Sequence, residues 1–290
     1  MSPITYRNYK DVSDLELQTK IWTEATHSLP WAWKPNTTQR WFTEQPNFDP
    51  ASKLFALDDN NPIGYMSSIR REGYTPMGFP WVIHSRYEGD IQHHLFDTVY
   101  DNAVHVSKSK NFLQRFRKEW VYQIKFFEEK GFTLENSNPI YILDITEDSK
   151  FSLPHGYEVS LHNSIPREMF LKVLKEDSTN KNQNYENILA YFTDDIAVDW
   201  YLILKFNGNP VGTSLVTIRS DTKYAEFALY SSTKVESSIN ILLEALITQL
   251  AKENITHMSM TTLEDSPRID VLENYSFSKR SDSVFYSKKL

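Results

Sequence analysis

The sequence contains the same pattern twice. Asn61-Pro62-Ile63-Gly64 opens an apolar run that ends Ser68-Ile69-Arg70, and Asn209-Pro210-Val211-Gly212, 148 residues later, opens one that ends Thr217-Ile218-Arg219. Each is preceded by a second apolar run and turn residues. These are Leu54-Phe55-Ala56-Leu57 with Asp58-Asp59-Asn60, and Tyr201-Leu202-Ile203-Leu204 with Asn207-Gly208. Strand, turn, strand is the reading in both places. A further pair, Phe126-Phe127-Glu128-Glu129-Lys130-Gly131-Phe132 and Val271-Leu272-Glu273-Asn274-Tyr275-Ser276-Phe277, repeats at 145 residues. Landmarks at near-constant spacing predict two copies of one domain, 1–146 and 155–290, joined by the polar stretch 147–154 that ends in Pro154. A chain of 290 residues accommodates two such domains.

Periodicity fills in each copy. In the first, a strand starts at Tyr6, and Ser13-Asp14-Leu15-Glu16 reads as a capping box opening a helix with Leu15, Ile21 and Trp22 on its apolar side. A helix over 38–43 follows, then the hairpin, a strand over 79–84 and a helix over 90–107. A strand over 111–116, a helix over 119–130 stopped by Gly131 and a strand over 133–145 complete the copy. The second copy repeats the order. Strands fall at 157–161, 200–205, 211–219, 224–230, 255–260 and 282–288, and helices at 166–175, 185–192, 236–252 and 267–274.

Composition excludes several chemistries. With no cysteine there is no disulfide, thiol nucleophile or cysteine zinc site. The net charge of −7 argues against nucleic-acid binding, which needs clustered Lys and Arg. Arg115, Arg117 and Lys118 are too few for that and read as a solvated face. The first residues are polar, and no apolar run approaches the roughly 18 residues of a membrane span. The expectation is a soluble cytoplasmic protein with no membrane or nucleic-acid partner, and a homodimer remains open. His93 and His94 are neighbours on the predicted helix and point about 100° apart, so no metal site is expected there.

The order of elements and the closing "hydrophobic-Tyr-Glu-x-x-Gly-Phe" pattern, matched here by Phe-Phe-Glu-Glu-Lys-Gly-Phe, resemble the GNAT acetyltransferase superfamily. The resemblance is to its tandem, mycothiol-synthase-like members, and it covers nearly the whole chain. It implies an α/β fold of two tandem domains, each a mixed, mostly antiparallel sheet with a splayed central strand flanked by helices. It also implies acetyl-CoA as cosubstrate, with no metal, and N-acetyl transfer to the amine of a small molecule or peptide. A catalytically degenerate ligand-binding or regulatory protein is the alternative.

In such proteins the pyrophosphate rests on a loop of the form Arg/Gln-x-x-Gly-x-Gly/Ala at a helix N-terminus, where unpaired N–H groups and the helix dipole stabilise an anion. The first copy has Arg86-Tyr87-Glu88-Gly89-Asp90-Ile91, which keeps Arg86 and Gly89 but adds the acids Glu88 and Asp90. The second has Lys234-Val235-Glu236-Ser237-Ser238-Ile239, without glycine. The first copy is therefore the expected cofactor-binding domain, through Val82, Ile83, His84, Arg86, Tyr87, Gly89, Asp90 and Ile91.

For catalysis, a base must take the proton of the acceptor ammonium. Glu226, on the strand where the family often carries a carboxylate, is one candidate, and His84 is the other. Tyr87 and Tyr230 either act as acids or only line the cleft. The position of the family's tyrosine acid is held by Phe127 and Leu272, neither of which donates a proton. Trp31 and Trp33, in the loop between the first two helices, are the candidate substrate pocket; domain packing explains them equally well.

Overall fold

The computed structural model describes residues 3–36, 38–44, 48–83, 89–146, 151–177, 184–190, 192, 197–235 and 237–290. In chain order the first half holds β1 (Thr5–Asn8), α1 (Ser13–Thr26), α2 (Gln39–Phe42), β2 (Lys53–Asp58), β3 (Asn61–Ser67), β4 (Thr75–Pro76), β5 (Trp81–Val82), α3 (Asp90–Asp101), β6 (Asn111–Arg117), α4 (Val121–Glu129) and β7 (Thr133–Asp144). The second half holds β8 (Tyr157–His162), α5 (Arg167–Glu176), α6 (Tyr185–Ala190), β9 (Trp200–Phe206), β10 (Asn209–Arg219), β11 (Tyr224–Ser231), α7 (Ser238–Lys252), β12 (His257–Thr261), α8 (Arg268–Asn274) and β13 (Ser278–Lys289).

The two hairpins are the same object at the 148-residue offset. Asp58 pairs with Asn61 across Asp59-Asn60, whose φ angles are 49° and 66°. Phe206 pairs with Asn209 across Asn207-Gly208, at 48° and 78°. Two successive left-handed residues define the type I′ turn, whose twist matches that of the flanking strands. Both hairpins also shift register just after the proline, which leaves Ile63 in one and Val211 in the other as the extra residue.

The chain divides into two compact units, Met1–Asn138 with Ser281–Leu290, and Pro139–Arg280. This differs from the linear division at 146 and 155, because the closing strands are exchanged. In unit 1, β6 pairs antiparallel with the last strand of the chain, from Ser283↔Arg117 to Lys289↔Asn111. In unit 2, β12 pairs antiparallel with the end of β7, from His257↔Asp144 to Thr261↔Ile140. Neither linear half contains a complete sheet.

Within unit 1, β1, β2, β3 and β5 form an antiparallel sheet and β4 runs parallel to β6. Within unit 2, β8, β9, β10 and β11 are antiparallel, and β11 runs parallel to β12. Each sheet is covered by a helix whose apolar stripe is buried: Ile91, Leu95 and Val99 on α3, and Leu242, Leu243, Leu246 and Leu250 on α7.

One local expectation is corrected. No capping box opens α1, because Val12 is its N-cap and caps nothing. The Asp14 carboxylate is already taken by Arg7, at 2.6 and 2.8 Å, and by the Lys10 N–H at 2.7 Å. Asp11 receives the Ser13 N–H instead, at 2.9 Å.

Candidate functional site

The two units present the same framework with different fillings. In unit 2 the parallel ladder between β11 and β12 covers only Tyr224↔His257, Ala225↔Met258 and Glu226↔Ser259. Beyond it β11 continues alone on that side to Ser231, so the strands part. The segment from Thr262 to Pro267, between β12 and α8, has no aromatic residue to close the gap.

A cavity of ≈ 320 Å³ opens at the far end of β11, against the first turn of α7 and the start of α8. Ser231, Ser237, Ser238, Arg268 and Val271 line it. The Ser231 and Ser238 hydroxyls are 2.6 Å apart, and Ser238 also reaches the Ser232 carbonyl at 3.2 Å. Ser237, the N-cap of α7, sits at φ 63° and makes no side-chain cap, and the first turn carries no acid. The positive end of a 15-residue helix thus faces the cavity without a capping side chain. These features suit a phosphate group: helix N–H groups, hydroxyls and nearby cations.

The cations are themselves paired. Arg268 donates to Asp177 at 2.6 Å, Asp177 also accepts the Ser231 N–H at 2.8 Å, and Lys234 reaches Glu176 at 2.8 Å. Lys234 and the Ser232 hydroxyl together hold the Glu176 carboxyl below its ordinary range. Sequence reasoning missed Asp177 and Arg268. They are 91 positions apart, and nothing local marks either.

Unit 1 repeats the helix start. Gly89 caps α3 at φ 85°, and Ser237 lies 148 residues beyond it, so both loops end on a residue of positive φ, with ψ −98° at Gly89 and 2° at Ser237. Asp90 follows at once in the first turn, an acid where an anion would rest. The gap beyond is packed. Phe79 contacts Phe116, Tyr122, Phe126 and Phe127 at ring separations of 5.5 to 6.5 Å. Trp81 lies 5.9 Å from Trp120, and all three of Phe79, Trp81 and Trp120 are buried. Gln92 bridges the Pro80 carbonyl, at 3.1 Å, and the Tyr122 hydroxyl.

Of the residues expected at the cofactor, His84, Arg86 and Tyr87 lie outside the described residues. Val82 and Ile91 are core: as the second residue of α3, Ile91 turns inward onto the sheet. Ile83 extends β5, its N–H bonded to the Ile63 carbonyl at 2.9 Å. Glu226 is half-buried on β11, on the same face as Ala228 and Tyr230. Tyr230 packs on Phe170 and Phe192, 5.8 and 6.1 Å away. Phe127 and Leu272, at the family's tyrosine position, are both buried.

The two tryptophans of the α1–α2 loop separate. Trp33 lines a second cavity, of ≈ 210 Å³, and stacks on Trp120 at 4.7 Å. Trp31 does not line it; its backbone, at φ 53°, offers a carbonyl to Arg117 Nε at 2.8 Å. His93 and His94 pack on Phe126 and Tyr6, at 5.1 and 4.0 Å. Among the described residues no group of three His, Asp or Glu is placed to hold a metal, and no helix is long and apolar enough to cross a membrane.

No family model matches the sequence, and no curated protein matches it either. Solved structures do match. A tandem GNAT protein from the clavulanic acid biosynthesis pathway superposes with TM-score 0.68 at 12% identity, covering 99% of this chain and 98% of that one. A GCN5-related N-acetyltransferase from Sphaerobacter thermophilus gives 0.56 at 12% identity, covering 100% and 97%. N-myristoyltransferase from Saccharomyces cerevisiae gives 0.58 at 10% identity, covering 99% and 78%. The fold is the GNAT fold, in tandem.

Proposed function

We propose that this chain is an N-acyltransferase that takes an acetyl group from acetyl-CoA, with unit 2 as the working copy. The carrying observation is the parting of β11 from β12 after Glu226, with a cavity at its mouth against the α7 N-terminus. The fit is to a thread-like donor with an anionic end. The phosphates would rest on the first turn of α7 beside Ser237 and Ser238, and the thin chain would follow β11 into the gap. Acetyl-CoA supplies an activated acyl carbon. Past Glu226 the β12 side of β11 carries no ladder, so this edge is the place where strand N–H groups can polarise a carbonyl.

Glu226 is the base in this reading. It is half-buried on the strand that borders the gap, and it takes the proton that an ammonium acceptor must lose. No tyrosine stands at the acid position, since Leu272 is buried there. The thiolate then leaves without a protein acid and takes its proton from solvent. Thiol release from acetyl-CoA across a panel of primary amines tests the reading. Glu226→Gln lowers kcat at least tenfold and leaves the KM for acetyl-CoA unchanged; an unchanged kcat removes Glu226 from the mechanism.

One observation favours a second reading, a binding protein that has kept the cleft and lost the reaction. The Ser231 N–H, last of the strand, is already held by Asp177 at 2.8 Å. In that case acetyl-CoA binds and no amine of the panel releases thiol.

A further inference from the structure

Unit 1 has closed its strand gap with aromatic side chains, yet it retains the ≈ 210 Å³ chamber beside it. That is about seven waters at roughly 30 Å³ each, room for a single-ring ligand. Its walls are Trp22, Trp33, Trp41, Trp81, Phe42 and Tyr65. Among the described residues no Asp or Glu lines it, and the one charged group that does is Arg115, whose guanidinium stands 4.2 Å from the centre of the Trp33 ring.

Two further cations lie against its wall rings from outside the lining: Arg71 at 3.9 Å from Trp41, and Lys53 at 3.7 Å from Phe42. Lys53 is 1% exposed, and its Nζ donates to Gln18, a lining residue, at 3.4 Å. No carboxylate pairs with it among the described residues.

An aromatic ring attracts a cation through its negative face. Three of the six wall rings, Trp33, Trp41 and Phe42, already have cations, and among the described residues a like-charged ligand would meet no lining acid to neutralise it. An anion would instead meet Arg115 at the chamber wall and bring negative charge toward the buried Lys53 ammonium, behind Phe42 and Gln18. The geometry points to a binding site in unit 1 for a small planar aromatic carboxylate, distinct from the cleft of unit 2. The inference is independent of whether unit 2 is catalytic.

Calorimetric titration of the full chain with phenylacetate, cyclohexylacetate and phenethylamine tests it. Phenylacetate is expected to bind saturably, at least tenfold tighter than either of the others. Arg115→Gln and Lys53→Met should each lower its affinity about tenfold while the near-UV circular dichroism stays that of the parent chain. Phenethylamine binding as tightly as phenylacetate would overturn the charge preference, and equal binding of cyclohexylacetate would overturn the aromatic one. Absence of phenylacetate binding up to millimolar concentration, or full affinity in both variants, would overturn the site.

Discussion

The carboxylate of Asp177 accepts the Arg268 guanidinium at 2.6 Å, and both side chains are buried at the edge of the unit 2 cleft. The same oxygen takes the Ser231 N–H at 2.8 Å, so one acid ties the end of α5, the end of β11 and the start of α8 together. Removing one member of a buried pair strands the other charge. Asp177→Asn is therefore expected to cost about 3 kcal/mol in urea denaturation. A loss under about 0.5 kcal/mol would show that the pair does not hold the cleft together.

Lys53 is predicted to be a cost to the free protein. Burial pushes its ammonium well below the ordinary value of 10.5, against a smaller pull from Asp14. Between that lowered value and 10.5 the unfolded chain holds more protons than the folded one, so stability rises with pH across the window. Lys53→Met should stabilise the protein at neutral pH by at least about 1 kcal/mol. It should also flatten the rise of the melting temperature between neutral and mildly alkaline pH. Equal or lower stability in the variant would contradict this reading of Lys53.

The exchanged strands predict how the chain responds to truncation. Stopping it at Arg280 removes the antiparallel partner of β6 along its whole length, from Arg117 to Asn111, and leaves only the short parallel pairing with β4. The buried face of unit 1 then opens to water, and six of the seven tryptophans are in that unit. A large red shift of tryptophan emission is expected, with Trp200 of unit 2 little changed. A truncated chain with native emission would mean that unit 1 folds without its last strand.

The caps of the two major helices offer a controlled comparison. Ser237 carries a side chain at φ 63°, where glycine is favoured, and left-handed backbone costs a non-glycine residue roughly 1–2 kcal/mol. Ser237→Gly should raise stability by up to about 1 kcal/mol. Gly89→Val, at φ 85° and ψ −98°, should lower it by about 1–3 kcal/mol by strain, because no described residue lies within 4 Å of the added Cβ. Thermal melts of the two variants moving in the same direction would contradict a positive-φ cap at both helices.

What the sequence disclosed was local and repeated. The hairpin turns, the helix stripes and the offset of 148 residues all rest on contacts within a few positions, and the structure has them at those places. Strand partners are not local. The stretches before Asp144 and Lys289 read as strands, but nothing in an alternating run names the neighbour it pairs with, so the exchange was invisible.

In the sequence the glycine of the cofactor loop, Gly89, points to the first copy. Ser237 also turns the chain at positive φ without one, and the two units differ more in what fills the gap beyond. Phe79, Trp81 and Trp120 fill one gap, while the residues between β12 and α8 leave the other open. Periodicity marks such aromatics as buried but does not say what they displace.

The most direct test of the central claim is calorimetric titration with acetyl-CoA of three proteins: the parent chain, Val271→Trp, which fills the unit 2 cavity, and Gly89→Val, which strains the unit 1 loop. One site per chain is expected in the parent, with the same affinity in Gly89→Val and at least a tenfold loss in Val271→Trp. Full affinity in Val271→Trp with binding lost in Gly89→Val would place the donor in unit 1 and contradict it.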